Sequence, residues 1–210
     1  MDVPHALLAF TLAAGLLTVT PGLDTALVLR TTAVEGSRQG MRAALGINLG
    51  VLIWGFAASV GIGALLAASR LAYDSLRVVG ALYMLWLGAR MLAGAFAKPK
   101  AEPQSDAPAA PTRRSWFVRG LLTNLLNPKV GVFYVTFLPL FVPAGVNVTA
   151  FSMLLAGIHV LEGLTWFWLL TTLMRPLARW VQRSSVKRAL DGLAGSVLIG
   201  FGLGLFLERR

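Results

Sequence analysis

The sequence predicts an all-α integral membrane protein with six transmembrane helices in a 3+3 inverted repeat, helices 1 and 4 being broken at prolines. Mean hydropathy is +0.71, with 56% hydrophobic and 13% charged residues, outside the range of soluble domains. Several apolar stretches exceed the roughly 20 residues that a helix needs to cross about 30 Å of hydrocarbon. The predicted spans are residues 6–29, 44–68, 74–95, 118–142, 149–173 and 190–207.

A segment rich in proline and alanine divides these spans into two groups. Residues 98–114 read KPKAEPQSDAPAAPTRR, a composition typical of a flexible linker. The predicted organisation is a first three-helix repeat over 1–97, a cytoplasmic linker over 98–114 and a second repeat over 115–210. An odd number of spans in each half gives the halves opposite orientations. Little chain remains outside the spans for a soluble catalytic domain, so an enzyme is not expected.

Short similarities between the two halves support the repeat. Each is weak alone because Gly and Leu are frequent, but they keep the same order along the chain. They are Gly15–Thr18 with Gly120–Thr123, Gly46–Asn48 and Trp54 with Gly157–His159 and Trp166, and Gly80/Gly88 with Gly192/Gly200. Inverted repeats of this kind are the architecture of many secondary transporters.

The basic charge indicates topology rather than a nucleic-acid partner. The net charge is +10, and fourteen Lys and Arg residues fall in the 1–2, 3–4 and 5–6 loops against four on the other side. Such a bias places those loops in the cytoplasm and both termini outside, in the periplasm of a bacterial inner membrane. The chain has no cysteine, which excludes disulfides and thiolate metal sites. Glycine seams in the spans suit close helix packing and could serve a homodimer.

Lys129 is the strongest functional signal. It lies deep in an apolar stretch, directly after Asn127-Pro128. A lysine at membrane depth requires a partner, a water-filled cavity or a function, and the proline breaks the helix at the same point. Pro21-Gly22 in span 1, followed by Asp24, forms the matching break. Paired interruptions in two halves are the best sequence pointer to a transport site, since restarting helices present N–H groups to anions.

Asp24 has several possible roles. It could pair with Lys129, take a substrate ammonium or carry a coupling proton. Two structural alternatives have no function in transport: a salt bridge that only holds the halves together, and snorkelling of the side chain towards Arg30. Glu162 and His159 share a face of span 5, so they form either a proton relay or packed hydrogen-bonding partners. Asn48 and Asn124 either line a transport cavity or form hydrogen bonds between helices. No catalytic residue, metal site or cofactor is predicted.

Segments throughout the chain carry a resemblance to a known family. They are Thr20–Asp24, Gly40–Gly50, Gly80–Tyr83 with Leu87-Gly88, Gly120–Lys129 with Phe137–Pro139, and Gly195–Gly204. The pattern resembles the LysE/RhtB family of bacterial amino-acid exporters, although Leu23 stands where family members commonly have a second proline. The resemblance implies export of an amino acid or derivative, a small zwitterion, driven by protons.

Two other functions are compatible with a membrane protein of this kind. A divalent-metal exporter would use Asp24, His159 and Glu162, but Lys129 would repel the ion. A membrane assembly partner without transport activity would not require paired broken helices that carry charges.

Overall fold

The computed structural model describes residues 2–68, 115–173 and 183–207, with residues 75, 78, 82, 85, 86, 88–90, 92, 93, 95 and 96 between them. All regular elements in these ranges are helical, which confirms the predicted fold class at the level of secondary structure. They are α1 (Val3–Val19), α2 (Leu23–Glu35), α3 (Ser37–Ala68), α4 (Trp116–Leu125), α5 (Pro128–Val132), α6 (Val148–Thr172) and α7 (Ser184–Leu207). The predicted linker 98–114 lies outside the described residues.

Two single helices are long and apolar enough to cross a membrane, namely Ser37–Gly61 within α3 and Val148–Thr172. Two bent pairs pass the same test if each counts as one span: α1 with α2, bent by 49°, and α4 with Pro128–Phe141, bent by 52°. These four correspond to predicted spans 1, 2, 4 and 5. Helix α7 overlaps predicted span 6, and the described residues of span 3 are helical.

Span 1 starts and breaks where its sequence dictates. Asp2 caps α1 by accepting a hydrogen bond from His5 N at 3.1 Å, and this bond holds the pKa of the Asp2 carboxyl below its usual range. The helix ends at Val19 because Pro21 has no N–H to donate. Helix α2 restarts at Leu23, so the chain changes direction within the apolar layer.

Span 4 is less regular than the continuous helix predicted beyond Pro128. After five residues of α5, the chain forms a π-helix over Phe133–Phe137 and a 3₁₀ turn over Leu138–Phe141. Pro139 lacks the N–H that an α-helix would need, and Thr136 Oγ1 donates to Val132 O at 2.8 Å. π-Helical turns within helices are rare and frequently occur at functional sites.

A tight turn at Gly36 joins α2 to α3. Its φ of 87° is in the left-handed region that favours glycine. Helix α3 therefore begins at Ser37, earlier than the span boundary predicted at residue 44, because the polar segment SRQGMR is helical too. Ser37 Oγ donates to Thr171 O at 2.8 Å and ties this corner to the end of α6.

Helices α3 and α4 cross at two glycines. A Cβ on Gly46 would collide with the carbonyl oxygen of Phe117, and one on Gly120 with the carbonyl oxygen of Ala43. The backbones touch directly there, as in small-residue seams of membrane helices. This crossing fixes the position of α4, and through it the position of the break at Asn127-Pro128.

We expect Gly120→Ala to destabilise the protein by about 1–3 kcal/mol, because the methyl group overpacks against backbone that cannot move aside. The measurement is the thermal midpoint of the purified protein in detergent. Gly157→Ala in α6 is the matched control, since its Cβ would meet nothing within 4 Å. Equal midpoints for the two variants would contradict this crossing.

The buried side chains form two apolar clusters. The larger one contains Phe10, Phe133, Tyr134, Phe137 and Phe141, with Phe10 against Phe141 at a ring-centroid distance of 5.5 Å. The smaller one includes Val28, Ile47, Phe167 and Leu170. Polar residues of both broken helices lie between these two clusters.

Candidate functional site

Lys129 binds the broken end of α1. Its Nζ donates to the carbonyl oxygens of Leu17 and Thr20, both at 3.1 Å. The last carbonyls of a helix have no partner within the helix and carry partial negative charge, so an ammonium is stabilised there. Because an ammonium has three N–H donors, one remains for a ligand. The charge found at membrane depth therefore has a defined partner, the C-terminus of α1.

Asp24 occupies the first turn of α2, on the other side of the same break. The carboxylate lies near the N-terminal N–H groups of this helix, where negative charge is favoured. Asn124 Nδ2 donates to Asp24 Oδ2 at 2.8 Å, so the carboxylate also connects span 1 to span 4. Asp24 and Lys129 form no salt bridge in the described part of the chain, contrary to the structural pairing considered from sequence.

The break in span 4 is capped by Asn127. Its Oδ1 accepts from Lys129 N at 3.1 Å, and Pro128 takes the first helical position, where no N–H is needed. The sequence Asn-Pro-Lys therefore has three roles: it caps α5, it breaks the helix, and it places the Lys129 ammonium at the C-terminus of α1.

Both breaks open onto one cavity. Seven of the residues predicted from sequence line it, and the remainder of its wall is threonine, glycine and apolar side chains. The lining is Leu17, Thr18, Thr20, Gly22, Asp24, Thr25, Ile47, Asn48, Val51, Asn124, Asn127, Lys129, Val130, His159, Gly163 and Phe167. The cavity has a volume of about 40 Å³, which is room for about three water molecules.

Several polar atoms at this cavity have no protein partner in the described ranges. Thr18 Oγ1 and Asp24 Oδ1 are two of them, both buried. Asn124 Oδ1 is a third, but it packs against Gly50 of α3, where an added Cβ would lie 2.5 Å from it. Buried polar groups are nearly always paired, so the unpaired acceptors of the cavity-lining residues Thr18 and Asp24 indicate the place of a ligand or of ordered water.

The remaining predicted residues are placed differently. Pro21 and Pro128 form the two breaks but do not line the cavity. Glu162 is absent from the lining as well; its carboxylate faces Gly15 of α1, and its Oε2 is buried without a partner. Asn48 lines the cavity, with its Nδ2 bonded to Ala44 O at 2.8 Å.

His159 lines the cavity and is bonded from behind by Tyr134, whose hydroxyl lies 3.0 Å from His159 Nδ1. Sequence reasoning missed Tyr134, and also Thr18, Thr20 and Thr25. The threonines adjoin the recognised motif in span 1, so a survey of polar residues around Pro21 would have found them. Tyr134 carries no such signal, because its partner His159 lies on another helix.

The described residues contain no group of three or more His, Cys, Asp or Glu side chains able to hold a metal ion. The charged atoms at the cavity are instead one ammonium and one carboxylate, at the two breaks. A polar cavity between two broken helices of an apolar bundle is the arrangement of a membrane transporter.

The comparisons with known proteins give the same class. Residues 16–209 match the family described as LysE type translocator. The chain belongs to this family, which makes it a membrane transporter and not an enzyme.

Relatives of known name share most of their length with this chain. The threonine efflux protein of Escherichia coli (strain K12) is 33% identical over 194 residues, covering 91% of this chain and 92% of that protein. The leucine efflux protein of Klebsiella pneumoniae is 28% identical over 201 residues, 94% of this chain and 93% of that protein. The uncharacterized membrane protein YrhP of Bacillus subtilis is 29% identical over 204 residues, 95% and 97% respectively. No solved structure gives a significant match.

Proposed function

We propose that this protein exports a zwitterionic amino acid or amino-acid derivative from the cytoplasm, in exchange for protons and by alternating access. The family membership and the names of the threonine and leucine efflux relatives support amino-acid export. The chemistry of the cavity supports a zwitterion, because its two charged groups have opposite sign and belong to different breaks.

The observation that carries the proposal is the set of unpaired acceptors beside Asp24. A substrate ammonium brings three N–H donors, two of which suit the unpaired Asp24 Oδ1 and Thr18 Oγ1. The substrate carboxylate would take the third N–H of Lys129. Asn127, Pro128, Pro21 and Gly22 would then serve the site by shaping the two breaks, and Asn48 as part of its wall.

The candidates for proton coupling are the titratable groups at or near the cavity, Asp24, Glu162 and His159. Asp24 is at the substrate site itself, so a proton and a substrate ammonium would compete for it. Glu162 is on the α1–α6 contact, where a change of its charge would alter how these helices pack.

Alternating access requires two halves that rearrange about the site. The two bends, 49° and 52°, are almost equal, as related repeats would give. Helices of each half also pack against helices of the other half. Gly15 of α1 adjoins Glu162 of α6, and Gly120 of α4 adjoins Ala43 of α3. The cavity volume of about 40 Å³ suits a few water molecules, so we expect the helices to separate when an amino acid enters. These features support a 3+3 inverted repeat.

The proposed topology places both termini in the periplasm and the linker 98–114 in the cytoplasm. We expect alkaline phosphatase fused after Arg210 to be active in bacterial cells, since this enzyme requires export. A fusion inserted within the linker is the control and should be inactive. Activity of the linker fusion alone would reverse the orientation.

A homodimer through the glycines of α7 also stays a prediction; a Cβ on Gly200 would meet nothing within 4 Å.

The function itself is tested by mass spectrometry of the medium from cells that express this chain, against cells with the empty vector. An amino acid or derivative that accumulates only with the chain supports export and names its substrate. No difference across the amino acids would contradict the proposal and leave metal ions and partner proteins to be tested.

A further inference from the structure

Tyr134 and His159 form a buried pair behind the cavity. The Tyr134 hydroxyl lies 3.0 Å from His159 Nδ1, and the two rings stack with an interplanar angle of 12°. Tyr134 is fully buried, whereas His159 reaches the cavity surface. In the described part of the chain, His159 Nε2 has no protein partner and is not among the buried unpaired atoms. This nitrogen is therefore the atom that the ring offers to the cavity.

The bond fixes which nitrogen carries the proton. Nδ1 is the one acceptor within hydrogen-bonding reach of the Tyr134 hydroxyl in the described residues, so the phenol must donate to it or lose its own bond. Leaving a buried donor unpaired is unfavourable. An Nδ1 atom that accepts carries no hydrogen, and the neutral ring then has its proton on Nε2.

We propose that Tyr134 is a positioning residue that holds His159 as a neutral imidazole, with its Nε2–H donating to an oxygen of the substrate. The substrate oxygen belongs to the carboxylate if the proposed export of amino acids is right, and the inference rests on that function. His159 would thus bind substrate alongside Lys129, which leaves Asp24 and Glu162 as the proton carriers.

The charged surroundings agree with a neutral ring. Lys129 of α5 and Asp24 of α2 line the same cavity, and Glu162 is one turn further along α6. Lys129 disfavours a second positive charge in so small a space, and protonation of Nδ1 would reverse the bond to Tyr134 and leave the phenol hydrogen without an acceptor. The apolar neighbours, led by Phe133 at a centroid distance of 5.8 Å, offer the ring no alternative partner.

The tautomer can be measured without any transport assay. The chain has two histidines, His5 and His159, so His5→Gln leaves a single imidazole for ¹⁵N NMR in lipid. We expect signals of a ring protonated at Nε2 only, unchanged between about pH 5.5 and pH 8. Adding Tyr134→Phe, which keeps the ring but removes the hydroxyl, should leave the imidazole neutral and let its proton distribute between Nδ1 and Nε2. A ring protonated at Nδ1, or one that titrates with Tyr134 present, overturns the proposal.

Transport assays distinguish a positioning role of Tyr134 from a role in packing alone. With L-threonine and L-leucine as probes in proteoliposomes, Tyr134→Phe should raise KM about tenfold with little change in the maximal rate, the effect of one poorly oriented hydrogen bond to a charged group. His159→Gln, whose amide N–H can replace Nε2–H, should keep most transport, and His159→Asn should not. In the His159→Gln background, Tyr134→Phe should add nothing.

The outcomes separate the two proposals. If the wild type transports neither these probes nor any other amino acid while the NMR result stands, the amino-acid function fails and the tautomer assignment holds. If the wild type transports a probe and Tyr134→Phe leaves KM unchanged, or costs as much in the His159→Gln background as alone, the positioning role is wrong.

Discussion

Lys129→Met is expected to abolish export while the protein remains folded. The substitution removes the N–H groups that bind Leu17 O and Thr20 O and the charge that would hold a substrate carboxylate. Two hydrogen bonds from a cation contribute about 1.5–3 kcal/mol each, so a lower thermal midpoint accompanies the loss. Methionine keeps the length of the side chain and avoids a large cavity beside Gly22.

Controls for this variant separate charge from folding. Arg42→Ala removes a positive charge from the exposed beginning of α3 and should export normally. Lys129→Arg keeps the charge but not the size of the ammonium, so it should fold at least as well as Lys129→Met and export poorly. Export by folded Lys129→Met at the wild-type rate would show that the lysine only caps α1.

Asp24→Asn should eliminate uphill export, and the pattern of residual activity reveals the role of the carboxylate. Asparagine can still accept from Asn124, so the link between spans 1 and 4 is kept, but the unpaired Oδ1 becomes a donor. If Asp24 binds the substrate ammonium, exchange of labelled for unlabelled substrate without a gradient is lost, by about tenfold to a hundredfold in affinity. If Asp24 carries only the coupling proton, exchange persists and proton-driven export alone disappears.

Asp2→Asn is the matched control, because it removes a carboxylate at the N-terminal end of the same span. The Asp2 side chain is 63% exposed and caps α1, a position where Asn performs about as well as Asp. We expect wild-type export and stability from this variant. Wild-type export by Asp24→Asn, with both exchange and uphill transport intact, would remove Asp24 from the substrate site and from proton coupling.

The sequence was sufficient for the features that depend on local chemistry. Apolar stretches of spanning length, a proline that cannot donate, and a charge placed beside it all act within a few residues. The positions of both breaks and the polar residues around Pro21 and Pro128 are features of this kind. For the same reason the chain could be identified with its family from the motif Gly120–Lys129.

Features that depend on how helices pack could not be predicted. Sequence placed Lys129 and Asp24 together but not their partners, because the carbonyl oxygens of α1 and the amide of Asn124 come from chain segments about a hundred residues away. The contact of Tyr134 with His159 depends on how span 4 packs against α6, which no local sequence pattern specifies. Glu162 and His159 share one face by sequence, yet small differences in angle place the imidazole at the cavity and the carboxylate against α1. Helical periodicity assigns a residue to a face, and only the packing of that face against another helix determines which atom it meets.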